Sequence, residues 1–265
     1  MINLKMLKLS LVVAATFSAQ AALCDPYNFV DFSFAGGGEN FYFKNAASDD
    51  ASSRNATFFT IPHAGATNFG ASMVNFSFLQ PTLAGHMSNL SAVFSLSGSI
   101  EDVAAQVDGV DLVQSQLNGT FSFLTASDIT LFGRFYAAGA NLLSGTLTSA
   151  NLYGPRLGDS ANIWSQSAAS DYSSDFLSFA AATNNTLLLS LTSLSPALQA
   201  DPEAGMPTNA LRSFGAVTSG IFSSDVQPTV DAVPEPQTWT LAILGFAMVG
   251  FQLRQKRSAA VRCVV

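Results

Sequence analysis

The chain has 265 residues, is 48% hydrophobic and only 11% charged, and sets 11 Lys+Arg against 18 Asp+Glu for a net charge of −7. An acidic balance without any basic run excludes nucleic-acid binding, which needs clustered Lys and Arg to displace counterions. Two cysteines and 19 glycines are too few for a disulfide scaffold or a collagen repeat, and the length suits one β-rich domain or two small ones.

The N-terminus reads as a secretory signal peptide over residues 1–21. Lys5 and Lys8 form a short positive region, and Leu9 to Phe17 is apolar apart from Ser10 and Thr16. Ala19-Gln20-Ala21 then supplies the small-x-small pattern that signal peptidase accepts, which predicts cleavage after Ala21. Leu23, the residue before Cys24, is too large for a lipid-attachment site.

From residue 22 to 226 the chain alternates apolar and small polar residues with a period of two. Val30, Phe32 and Phe34 alternate with Asp31 and Ser33. Further on, Phe76 and Phe78 flank Ser77, and Phe94, Leu96 and Ile100 alternate with serines. Leu117, Phe121 and Phe123 follow the same rule, as do Leu187, Leu189 and Leu191, then Phe214 to Ser223. Such alternation describes half-buried strands with one solvated face. Gly36-Gly37-Gly38, Asn68, Pro81, Asp108-Gly109, Asn118-Gly119 and Asp159 punctuate the runs as turns. The prediction is a single all-β body, an antiparallel β-sandwich or a jelly roll, with one turn of helix near Pro196–Ala200. Residues 227–233 read as an extended linker.

Candidate chemistry in the body is sparse. A hydrolytic triad needs a base beside its nucleophile, usually histidine, and only His63 and His86 exist. Both follow turn residues (Pro62 and Gly85) and read as loop or surface positions. No Gly-x-Ser-x-Gly elbow occurs, and Gly36–Gly38 lacks the lysine of a phosphate-cradling loop. Asp49-Asp50, Glu101-Asp102 and the pair Asp108/Asp111 read as solvated turn carboxylates, with paired glycosidase acids as the alternative. No metal site and no cofactor are predicted. Phenylalanine dominates the aromatics with 22, against 5 Tyr and 2 Trp. Most of these rings fall on the apolar side of a strand and read as core. Trp164, with Tyr153 and Tyr172 near it in sequence, is the candidate platform for stacking a sugar.

The C-terminus carries the most specific pattern. Val233-Pro234-Glu235-Pro236-Gln237-Thr238-Trp239 precedes an apolar stretch over 240–253, followed at once by Arg254, Lys256 and Arg257. As a helix that stretch spans ~21 Å, short for a hydrocarbon core of ~30 Å. Trp239 and the basic cluster therefore serve as interface anchors, with the tail 258–265 in the cytoplasm. The prolines hold their own segment extended just outside the membrane.

Pro234, Glu235, Pro236 and Trp239, the apolar helix with Gly245 and Gly250, and the cluster Arg254, Lys256 and Arg257 together resemble the PEP-CTERM sorting signal of Gram-negative bacteria, in its PEPxxW form. Thr240 stands where alanine is commoner, and the 258–265 tail runs past the usual end. The resemblance covers residues 234–257. It implies recognition by an exosortase, a membrane-embedded cysteine transpeptidase that cuts near Pro234–Pro236. The body would then pass from a transient anchor in the inner membrane to the outer surface or an exopolysaccharide matrix. For the body two readings follow: a non-enzymatic surface or matrix protein, or a secreted carbohydrate-binding or carbohydrate-active protein using its carboxylates and Trp164.

Overall fold

The structure is a computed structural model, and it describes residues 26–45, 55–101, 105–108, 110–168, 171–200, 210–230 and 243–248. In chain order the strands begin with β1 (Tyr27–Phe34), β2 (Phe41–Asn45), β3 (Ala56–Thr60) and β4 (Ser72–Phe78), then a short helix α1 (Pro81–Ala84). There follow β5 (Leu90–Ile100), β6 (Gln106–Asp108), β7 (Asp111–Thr125), β8 (Ile129–Leu131), β9 (Arg134–Tyr136) and β10 (Asn141–Pro155). The series ends with β11 (Ser160–Ala168), β12 (Tyr172–Ser173), β13 (Leu177–Ser178), β14 (Asn184–Ser195), β15 (Phe214–Ser224) and β16 (Thr229–Val230).

The mostly β, antiparallel body agrees with the alternation, but the layering differs from a sandwich or a jelly roll. Antiparallel pairings run β1–β4–β5–β7–β10–β11–β14–β15 and return to β1, so the sheet closes on itself. The result is an eight-walled up-and-down barrel. A jelly roll needs long crossings between two sheets, whereas each wall here lies beside the next in sequence. Alternation shows which face of a strand is buried but not which strand is its neighbour, and both architectures bury one face.

Two of the eight walls are interrupted. Along one edge of β15, β1 pairs with Ser219–Ser224 and β2 with Phe214–Ala216, so β1 and β2 are one wall broken at residues 35–40. Along one edge of β5, β4 pairs with Leu90–Phe94 and β3 with Ser97–Ile100, so β3 and β4 form a second wall broken at residues 61–71. Each break would leave backbone groups of the neighbouring strand unpaired, and a buried polar side chain fills each gap. Asn40 accepts from the Thr218 amide through Oδ1 at 2.8 Å and donates through Nδ2 to Thr218 Oγ1 at 2.8 Å and to Ser72 Oγ at 3.3 Å. Its own amide bonds to the Ala216 carbonyl, and its carbonyl receives the Ile61 amide. On β5 the Thr60 hydroxyl accepts from the Leu96 amide at 3.1 Å and donates to the Leu96 carbonyl at 3.4 Å.

An eight-stranded barrel has an interior only wide enough for side chains to fill, and here phenylalanine fills it. Phe123 lies at the centre, stacked on Phe94 at 4.5 Å and touching Phe32 at 4.7 Å, Phe76 at 5.2 Å and Phe222 at 5.7 Å. So many rings need missing side chains beside them. Gly98 on β5 and Gly119 on β7 face each other in register, and a Cβ at Gly98 would come within 2.2 Å of the Phe58 ring. Shifts in pairing register in β10 and β14, with Ser149 and Ser193 at positive φ, mark bulges that help the sheet curl to closure.

All eight walls send one set of ends the same way. The chain enters that end at Tyr27 and leaves it past Ser224, and β13 pairs with β16 there. Gln80, next to α1, donates from Nε2 to the Pro228 carbonyl. Thus Pro228 and the strand Thr229–Val230, within the segment read as a linker, are bonded to the barrel. The helical turn expected near Pro196–Ala200 is not formed, and among the described residues of the body the one α-helix begins at Pro81, with proline at its first turn. Residues 243–248 are helical, and among the described residues no helix is long and apolar enough to cross a membrane. The signal-peptide segment and most of the predicted membrane segment lie outside the described residues.

Candidate functional site

The outer face of the barrel carries the small polar half of each alternating pair, and inter-strand register sorts these residues into rows. One row runs Trp164 on β11, Leu188 on β14, Ile221 on β15, Asp31 on β1 and Ser77 on β4, each directly opposite the next. The row beside it runs Asn162, Ser190, Ser219, Ser33 and Asn75 across the same five strands. On the other flank lie Gln166, Thr186, Ser223 and Asn28. An apolar strip led by tryptophan is therefore bordered on both sides by amides and hydroxyls and ends on a carboxylate.

The strip is open to solvent at its centre and its end. Trp164 is 39% exposed and Ile221 40%. Tyr153, 37% exposed, stands opposite Asn162 and so lies diagonal to Trp164 on the same face. From β14 to β4 the surface sinks into a groove of about 380 Å³ whose lining includes Asp31, Asn75, Asn89, Leu188, Ser219 and Ile221. Hydrogen bonds fix parts of this surface. Ser190 donates to Asn162 Oδ1 at 3.2 Å, Ser223 donates to Asn28 Oδ1 at 2.7 Å, and the Asn89 amide donates to Ser77 Oγ at 3.0 Å.

The other candidates separate. His63 is exposed in the break between β3 and β4, with Nδ1 3.1 Å from the Ala64 carbonyl oxygen. His86 is exposed after α1, edge-on to Phe132 at 5.3 Å. Asp108 and Asp111 face each other across the β6–β7 turn, Glu101 is exposed at the end of β5, and Asp49, Asp50 and Asp102 lie outside the described residues. Tyr172, grouped with Trp164 by sequence, turns inward. It is buried against Phe121, and burial, with Asp171 adding to it, pushes its hydroxyl pKa well above the usual range. Among the described residues no group of three or more His, Cys, Asp or Glu gathers as a metal site. Asp31 is the one carboxylate lining the groove, so the groove lacks the facing pair a glycosidase uses.

Sequence reasoning found Trp164 and placed Asp31 and Ser33 on the solvent side of β1, but it did not join them. Their meeting depends on β1 pairing with β15, residues nearly 190 positions apart. Pro234, Glu235, Pro236, Trp239, Arg254, Lys256 and Arg257, like Ala19 and Ala21, lie outside the described residues.

No curated protein and no solved structure matches the chain. The family description of the PEP-CTERM protein-sorting motif matches residues 232–257, beginning two positions after the last strand, Thr229–Val230. The chain carries a PEP-CTERM sorting motif, the mark of an exported, transiently membrane-associated protein that an exosortase processes.

Proposed function

We propose that the protein is a non-enzymatic component of the cell surface or of an exopolysaccharide matrix, delivered there by removal of both chain ends. Signal peptidase cuts after Ala21 and the body is exported. Segment 240–253 then holds it in the inner membrane, with Trp239 at the outer interface and Arg254, Lys256 and Arg257 at the inner one. The extended Pro234-Glu235-Pro236 segment enters the exosortase, and the barrel is released. The observation that carries this reading is the sorting motif at 232–257, set two positions after the strand Thr229–Val230 that pairs with β13.

Replacing Pro234 and Pro236 with alanine tests it by fractionation of the native host. The variant is expected to accumulate in the inner membrane at full length. Release of the variant as efficiently as the unaltered chain contradicts the reading.

A second reading, sugar binding by the body, is favoured by one observation: Trp164 stands exposed beside the amide- and hydroxyl-lined groove. The single groove carboxylate favours binding over hydrolysis.

A further inference from the structure

We infer that the outer wall spanning β11, β14, β15, β1 and β4 is a binding site for a neutral polysaccharide, whose chain lies across the strands from Trp164 to Asn75. The inference rests on the sugar-binding reading and specifies where and what the barrel binds. Five neighbouring strands at the usual separation of ~4.8 Å give a track of ~19 Å, the length of a short oligosaccharide. Along it the chemistry alternates as a pyranose chain requires. The indole of Trp164 offers a flat apolar face to ring C–H groups, and Leu188 and Ile221 continue that face toward β1. Asn162, Ser190, Ser219 and Asn75 run beside it and can donate to or accept from sugar hydroxyls. Leu188 and Ile221 line the groove together with Asp31 and Asn75, so the carboxylate and the amide are placed to meet a sugar edge beside its apolar face.

Charge selects the neutral class. None of the groove-lining residues is cationic, and Asp31 among them is acidic. The sequence also places all eighteen acidic residues between Asp25 and Glu235, with only Lys44, Arg54, Arg134, Arg156 and Arg212 as cations in that span. A uronic-acid or sulfated chain would meet repulsion on approach and no compensating cation in the groove.

Affinity electrophoresis of the full chain, in native gels holding dextran, galactomannan or hydroxyethylcellulose, with alginate as the anionic polymer, tests this. The expected result is retardation by at least one neutral polymer and none by alginate. Trp164→Ala should weaken binding about tenfold, Trp164→Phe should retain most of it, and Ile221→Lys should abolish it by filling the strip with a hydrated charge. Unaltered far-ultraviolet circular dichroism establishes that each variant is folded. Retardation that survives both Trp164→Ala and Ile221→Lys overturns the site and leaves sugar binding standing. Retardation by alginate alone overturns the neutral class, and no retardation in any gel overturns the site and the sugar-binding reading together. The sorting reading is unaffected by each of these results.

Discussion

The two walls built from β1/β2 and β3/β4 are each interrupted midway, while each of the other six is led by a single long strand, and different chemistry holds the two regions. In the arc from β5 to β15 backbone ladders carry most of the pairing, and most inward side chains are phenylalanine or leucine. The ladder thins only between β10 and β11, where three residue pairs give way to β12 and Ser167 donates to the Thr146 carbonyl. In the interrupted pair the ladder fails twice, at Thr218 on one side and Leu96 on the other. A single buried amide and a single buried hydroxyl replace it. A backbone gap in a closed barrel is tolerated only where a side chain satisfies the groups it exposes, because an unpaired buried donor carries its full desolvation penalty.

That contrast is tested most severely at Asn40. Asn40→Ala strips partners from the buried Thr218 amide and hydroxyl and from Ser72 together, and is expected to cost about 3–5 kcal/mol, read from urea unfolding. A cost near that of an ordinary surface change would show that the breaks need no polar closure. Next in size is the seam where the two regions touch. A methyl at Gly98 would strike both the Phe58 ring and the Asn118 carbonyl, so Gly98→Ala should lose about 2–3 kcal/mol. Shortening the ring with Phe58→Leu should recover part of that loss, because the two changes share one space. Full additivity of the pair would place the clash elsewhere.

A smaller effect comes with pH, at β12 beside β10. Burial raises the Tyr172 pKa in the folded barrel, with Asp171 contributing. The folded state therefore holds its proton more tightly than the unfolded chain. Stability is full below the unfolded value of about 10 and falls as pH rises from there toward the raised folded value. Tyr172→Phe removes this slope, so the unaltered chain should lose stability relative to the variant as pH rises above about 10. Parallel curves up to strong alkali would contradict the burial assigned to Tyr172. At the opposite extreme of pH, Asp225 accepts from the Thr183 hydroxyl and from the amides of Thr183 and Asn184, which lowers its pKa. Its small contribution is present at neutral pH and disappears as pH falls through that lowered value. Asp225→Asn should accordingly equal the unaltered chain only in strong acid.

How much of this was legible in the sequence follows the same division. The period of two exposed β1, β4, β5, β7, β14 and β15, because bulky apolar residues such as Phe32, Phe76, Phe94, Phe123, Leu189 and Phe222 mark the buried side and serines such as Ser33, Ser77, Ser95, Ser122, Ser190 and Ser219 fall between them. Short β2 and β3 escaped notice beside their glycine-rich and polar interruptions, and β11 hid behind inward-facing Ser165 and Ser167. Closure was not legible at all. Nothing local to Asp31 or Ile221 says that they will be opposite each other, and the groove exists only because they are. The sorting motif is the reverse case: a contiguous pattern read residue by residue, with no need of a fold.

The central claim, that the barrel is cargo released from a disposable tail, is tested most directly by mass spectrometry of the mature protein from the surface material of its own host. The account predicts a chain that starts at Ala22 and ends at or near Pro234–Pro236, without Trp239 or the basic cluster. Surface protein with an intact C-terminus reaching Val265 would contradict it.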